Sequence, residues 1–213
     1  MKENRRRIFI IGMILFLIPI IIGAVFYNKM PDMLPSHFDM TGTADKFESK
    51  AKVLFGMPLT MIALYAFSYF IMKFDPRREN QNINIFTIIM LLIPVLTTVA
   101  TVITVMYGFG KRPDVPLIIG AFTAVLFIAI GNYMPKLKFN YTIGIRVPWT
   151  LDSEENWNKT HRFAGFVFTI CGIICLILSF VKIKGSMYAS FAVIVIMGIL
   201  PELYSFLLYK KGV

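Results

Sequence analysis

Six runs of mostly apolar residues divide the chain, at 8–27, 53–72, 85–107, 117–134, 163–181 and 188–209. A membrane's hydrocarbon layer is about 30 Å thick, and an α-helix rising about 1.5 Å per residue crosses it in roughly 20 residues. Each run meets that requirement, the fourth being the shortest. The runs are continuously apolar instead of alternating, which points to helices and away from barrel strands. Composition agrees: 57% of the 213 residues are hydrophobic and 16% are charged, against roughly 45–50% and about 25% in soluble domains. No stretch between the runs is long enough to fold as a soluble domain. The expected fold is therefore all-α, a polytopic membrane protein with six transmembrane helices.

Charge distribution gives the orientation. Arg5, Arg6 and Arg7 precede the first run. That run is longer than a signal-peptide core and no A-x-A cleavage site follows it, so it reads as an uncleaved signal anchor. With the N-terminus inside, 14 of the 22 Lys and Arg residues fall in cytoplasmic segments and 8 in outer ones. The bias favours both termini in the cytoplasm, although Lys46, Lys50 and Lys52 cluster on the outer side. The net charge of +10 is thus accounted for by short loops at anionic headgroups. No soluble basic module is present, so direct nucleic-acid binding is not expected. The lipid bilayer is the partner that composition alone requires.

Two connections are long, 28–52 outside and 135–162 inside; the link at 182–187 is short enough to make the last two helices an antiparallel hairpin. In the outer loop, Pro31 and Pro35 prevent a regular helix and Thr41-Gly42 signals a turn. Asp32, His37, Asp39 and Asp45 form at most a weak ligand set, because one His with scattered carboxylates lacks metal-site spacing. A packed structural loop or an external ligand surface both fit. Cys171 and Cys175 lie one turn apart in an apolar run, where they fill a helix face. No metal or cofactor is expected.

The inner loop is richer. It runs from Gly131-Asn132 through Ile143-Gly144-Ile145-Arg146-Val147-Pro148-Trp149-Thr150-Leu151 to Glu154, Glu155, Trp157, His161 and Arg162. Asp152 and Glu155 have capping-box spacing, with acids in the first turn and bases later. Glu155–Lys159, Glu154–Asn158 and Trp157–His161 are i,i+4 neighbours. A helix is therefore expected to run from here without a break into the fifth span. Both tryptophans of the chain, Trp149 and Trp157, sit in this loop. Interfacial anchoring explains an indole in the headgroup zone; a partner- or ligand-binding surface explains the density of Arg146, Pro148, Trp149 and the two glutamates.

Catalysis finds little support. The two histidines, His37 and His161, fall on opposite sides of the bilayer, and no HExxH or GxSxG pattern occurs. Ser153 and His161 stand over two helical turns apart, roughly 12 Å, too far for proton transfer. Glu202, an ionisable residue inside the sixth span, allows an alternative function as a small-molecule or proton-coupled transporter, with Pro94 and Pro201 breaking helices near a cavity. A pairing of Glu202 with Arg146 or Arg162 near the inner interface is the plainer account.

The string from Ile143 to Leu151, with Gly131-Asn132 before it and Glu155, Trp157 and His161-Arg162 after it, resembles the signature of the SdpI family. The outer Leu34-Pro35-Ser36-His37-Phe38, with Gly42 and Asp45, resembles a small domain of unknown function that often precedes that module. Val147 stands where Thr is expected, which removes a hydroxyl and keeps β-branching. The resemblance implies an N-terminal two-helix unit over 1–73 and a four-helix module over 74–213. It further implies a multi-pass protein of the bacterial plasma membrane, not an enzyme, that gives immunity to a secreted peptide toxin met on the outside. A soluble repressor held at the cytoplasmic face is the second implied partner. Asn132, Arg146, Pro148, Trp149, Glu154, Glu155, Trp157, His161 and Arg162 are then the inner binding residues, and Pro35, His37, Asp39, Gly42 and Asp45 the outer ones.

Overall fold

A computed structural model describes residues 2–181 and 185–213. Among these described residues, six helices are long and apolar enough to cross a membrane: α1 (Glu3–Lys29), α2 (Lys52–Phe74), α3 (Ile83–Gly108), α4 (Val115–Lys136), α5 (Glu154–Phe180) and α6 (Ser186–Lys210). The expected spans all appear. Residues 182–184 of the short link expected before α6, with Lys182 and Lys184 of the outer charge count, lie outside the described residues.

Local irregularities have identifiable causes. Helix α1 breaks at Phe16, three residues before Pro19; the proline ring cannot coexist with a straight turn below it. Helix α2 opens with a widened turn over Lys52–Gly56, just before Pro58, where a π-bulge absorbs the missing donor. Helix α5 runs unbroken from Glu154 to Phe180. Its cap differs from the expected Asp152 box: Ser153 is the N-cap, and its hydroxyl accepts from the Asn156 N–H at 3.2 Å. Ser153 wins because its backbone is extended, as an N-cap requires, whereas Asp152 ends the short helix Pro148–Asp152.

Among the described residues, the one departure from an all-α chain lies in the loop at 28–52. Strands β1 (Met33–Phe38) and β2 (Ala44–Ser49) pair antiparallel, with Leu34 opposite Glu48 and Pro35 opposite Phe47. The register is irregular on both sides of His37, as expected where a proline removes a ladder donor. The Asp39 carboxylate closes the turn by accepting from the Thr41 N–H, the Thr41 hydroxyl and the Thr43 N–H at 2.7–2.9 Å. Gly42 supplies the positive φ, 83°.

The chain forms two compact units. One comprises the chain up to Phe70 with Phe86–Val115. Its core joins Met30, Leu34, Val53, Leu54 and Val105, with Ile22, Phe26, Tyr27 and Phe55 around them. The hairpin is thereby tied to its helices through Leu34, and Phe38 meets the Tyr107 ring at 5.9 Å. The Tyr65 hydroxyl donates to the Phe9 carbonyl at 2.9 Å.

The second unit comprises Ile71–Ile85 with Pro116–Val213. Val167, Cys171 and Met197 centre its core, packed by Phe127, Phe163, Phe168, Val193 and Ile194. Both cysteines are free and buried, serving as small apolar fillers. Helices α4 and α5 touch backbone to backbone: a Cβ on Gly131 would lie 3.0 Å from the Gly165 carbonyl oxygen, and one on Gly165 3.0 Å from that of Gly131. Small residues at such crossings allow close packing where lipid supplies no hydrophobic drive.

Candidate functional site

The second unit carries the densest polar construction among the described residues. It is assembled from the turn after α2, the segment 134–153, and the first turns of α5. An Asp-Pro turn starts it: Asp75 accepts from the Arg77 N–H at 2.7 Å. Its second carboxylate oxygen accepts from the Thr142 hydroxyl at 2.6 Å, the Tyr141 N–H at 3.0 Å and the Gln81 side chain at 3.2 Å. Asp75 is only 5% exposed. Burial pushes its carboxyl up, but these four hydrogen bonds outweigh it and hold the group below the usual 3.8. Gln81 also donates to the Met72 carbonyl at 3.0 Å, and Asn80 to the Phe139 carbonyl at 2.7 Å.

Asn140, fully buried, folds the segment on itself. Its oxygen accepts from the Thr142 and Ile143 N–H groups at 3.0 and 2.7 Å, and its nitrogen donates to the Lys138 and Ile143 carbonyls at 2.9 and 3.0 Å. Every hydrogen-bonding position of that amide is used. Thr150 does similar work: its hydroxyl accepts from the Val147 N–H at 3.0 Å and lies 2.9 Å from the Ile145 carbonyl.

Trp157 and His161 form the floor. Trp157 is completely buried, donates from Nε1 to the Leu137 carbonyl at 2.8 Å, and stacks on His161 with ring centroids 4.0 Å apart. His161 Nε2 accepts from the Ile145 N–H at 3.0 Å, so the ring proton sits on Nδ1 and is donated to the Trp157 carbonyl at 2.8 Å. The imidazole is therefore neutral and acts as a bridge between α5 and the loop. Gly144 passes over this pair at φ 125°; a Cβ there would press on the Trp157 ring at 3.1 Å and on His161. Gly144→Ala is expected to cost at least about 1–3 kcal/mol from the backbone alone, lowering Tm by several degrees and red-shifting Trp157 emission. An unchanged melt and spectrum would show that the loop is not seated on these rings.

A second buried cluster fixes α5 to α6. Asn156 donates to the Ser205 carbonyl at 3.0 Å and the Val213 carbonyl at 3.1 Å, and accepts from the Thr160 and Ser205 hydroxyls at 3.0 and 2.6 Å.

Above this interior lies an exposed rim. Arg146 donates to the Tyr141 carbonyl at 2.7 Å. Arg77 lies over the rings of Phe139 and Tyr141, 4.1 and 5.5 Å from their centroids, and 3.6 Å from Glu154. Glu155 pairs with Lys159 at 2.6 Å. Pro148 starts the short helix, and Trp149 packs on α6 through Phe206 and Tyr209, at 5.3 and 6.1 Å between centroids.

The sequence-derived candidates therefore separate by depth. Arg146, Pro148, Glu154 and Glu155 stay on the exposed rim; Trp157 and His161 lie inside, where any contact with a partner is indirect; Trp149 is half-buried. Asn132 and Arg162 are exposed and are not drawn into the hydrogen-bonded cluster. Glu202 is exposed on α6 and makes no ion pair with Arg146 or Arg162. Asp75, Gln81, Asn140, Thr142, Thr150 and Asn156 were not singled out by sequence. Asp75-Pro76 was a readable turn signal; the others are polar residues whose role appears only on burial.

On the hairpin, His37 Nδ1 meets the Asp45 carboxylate at 2.6 Å, both side chains exposed. Asp39 is used by its own turn, and the Thr41 hydroxyl leads the hydrogen bonds that hold its carboxyl below the usual range. Asp32 pairs with Lys50 at 3.1 Å. Pro35 is buried.

Comparison with known proteins places both regions. Residues 136–205 match the SdpI/YfhL protein family, and residues 14–62 match a domain of unknown function, DUF1648. The immunity protein SdpI of Bacillus subtilis (strain 168) is 26% identical over 211 residues, covering 99% of this chain and 98% of its own length. No solved structure matches the chain.

Proposed function

We propose that this multi-pass plasma-membrane protein, whose 136–205 segment is of the SdpI/YfhL family, gives immunity to a secreted peptide toxin. Both termini lie in the cytoplasm, the hairpin β1–β2 faces the toxin outside, and the rim around Arg146 faces inward. The single observation that carries the reading is the construction of that rim. Its interior is held by fully used amides at Asn140 and Asn156 and by the Asp75 carboxylate, while Arg146, Tyr141, Pro148 and Glu154 remain exposed. A surface so held loses little entropy on binding, and Arg and aromatic residues are the types that dominate binding hot spots. The near full-length similarity to an immunity protein supplies the biological direction.

In the finer reading, the rim holds a cytoplasmic repressor when toxin engages the hairpin through the His37–Asp45 edge, with Asp39, Gly42 and Pro35 keeping the turn in shape. Because Arg146 is exposed, Arg146→Ala is expected to leave Tm within about 2 °C and to abolish repressor co-sedimentation with membranes. Undiminished co-sedimentation in Arg146→Ala and Glu154→Ala would remove the rim from the mechanism. Saturable substrate or proton flux in proteoliposomes, lost in Glu202→Gln, would replace immunity with transport.

A further inference from the structure

The rim around Tyr141 carries charge of one sign that the chain itself leaves unanswered. Residues 136–150 hold three bases, Lys136, Lys138 and Arg146, and no Asp or Glu. Among the described residues, the carboxylate bonded to this segment is Asp75, which is turned inward and spent on the Thr142 hydroxyl and the Tyr141 and Arg77 N–H groups. The acids opening α5 are matched within the chain, Glu154 at 3.6 Å from Arg77 and Glu155 at 2.6 Å from Lys159. Asp152 is the remaining exposed acid of the rim, against three bases.

Position is fixed as well as sign. Arg146 donates to the Tyr141 carbonyl at 2.7 Å. Among the described residues its guanidinium meets no carboxylate, so most of a planar, five-donor fork is left over. The Tyr141 ring, 42% exposed, stands edge-on to Phe139 with Arg77 5.5 Å from its centroid. Asp75 holds its N–H and Arg146 its carbonyl. An exposed aromatic ring and an unfilled guanidinium fork are thus held side by side.

A fork of this kind pairs with a carboxylate through two parallel N–H···O bonds, and the ring offers an apolar contact beside it. Phosphate headgroups would supply charge but no side chain for Tyr141, and would meet Asp152, Glu154 and Glu155 as like charges. A second copy would bring another set of unanswered bases. We propose that the rim docks an acidic segment of a cytoplasmic protein, an Asp or Glu carboxylate on the Arg146 fork and a neighbouring apolar side chain on the Tyr141 ring. Lys136 and Lys138 add attraction at longer range. This rests on the reading of the rim as the inward docking surface.

The test uses the full-length protein in phosphatidylcholine nanodiscs and a short labelled peptide alternating Glu with Leu, followed by anisotropy, with empty discs as the blank. The peptide is expected to bind about tenfold more tightly than its Gln counterpart. Arg146→Ala is expected to weaken it about tenfold, and Arg146→Lys nearly as much, because an ammonium cannot form the paired bonds. Tyr141→Ala is expected to cost about fivefold. Lys159→Ala, whose charge Glu155 already answers, is expected to change nothing. Equal affinity for the Gln peptide, equal losses in Arg146→Ala and Lys159→Ala, or full binding in Arg146→Lys would overturn the proposal. Displacement by soluble glycerol phosphate at the peptide's own concentration would overturn it too, assigning the rim to headgroups. Repressor co-sedimentation that persists in Arg146→Ala while the peptide is lost would instead overturn the repressor reading alone.

Discussion

Trp157→Ala is expected to destabilise the second unit by about 3–5 kcal/mol, the range for truncating a large aromatic in a packed interior. Trp157 has no exposed surface, so nothing in the membrane or the solvent replaces what it fills. The truncation also orphans the Leu137 carbonyl and removes the ring on which His161 stacks. A loss of that size lowers Tm by roughly 10 °C for a chain of this length, read by heating the detergent-solubilised protein and following helix content. Trp157→Phe keeps the ring and loses the Nε1 donor, and is expected to lose roughly a third as much. A Trp157→Ala melt within about 2 °C of the parent would mean that the loop does not rest on this indole.

Asp75→Ala is the second large effect, about 3 kcal/mol. It leaves the Thr142 hydroxyl, the Tyr141 N–H and the Arg77 N–H without their acceptor. Asp75→Asn keeps one oxygen and turns an NH2 group toward donors, so it is expected to be nearly as harmful. The damage is local: trypsin is expected to cut at Lys138 or Arg146 in either variant and to spare both in the parent, because the segment between them hangs on this carboxylate. Its acid dependence follows from sign. A carboxyl group whose folded pKa is depressed contributes fully above its ordinary value, near 3.8, and loses that contribution as the pH falls through the lower folded value. Protection against trypsin in both variants would contradict the role given to Asp75.

The helices were legible because span length and apolarity are set by the bilayer, not by tertiary detail. The run-on of α5 was legible too: the acids at Glu154 and Glu155 and the Glu155–Lys159 pair are local signals. The hairpin was hidden, because Pro31 and Pro35 read only as helix breakers and no apolar alternation marks β1 or β2; it is held by Leu34 packing on Val53 and Leu54, contacts between segments far apart in sequence. Trp157 and Trp149 look alike in sequence, yet one is interior and the other half-exposed. The i,i+4 spacing of Trp157 and His161 pointed to their stack, but not to its depth. Asn140 and Asn156 carry no local signature at all, since a polar residue becomes structural only when folding supplies all its partners.

Immunity is read from survival. A Gram-positive strain that a secreted peptide toxin kills, expressing this protein with its presence in the membrane verified, is challenged with graded doses of that toxin. Survival is expected at doses that kill the empty-vector strain, with protection lost in Trp157→Ala and Arg146→Ala. Killing at the same dose with and without the protein would contradict it.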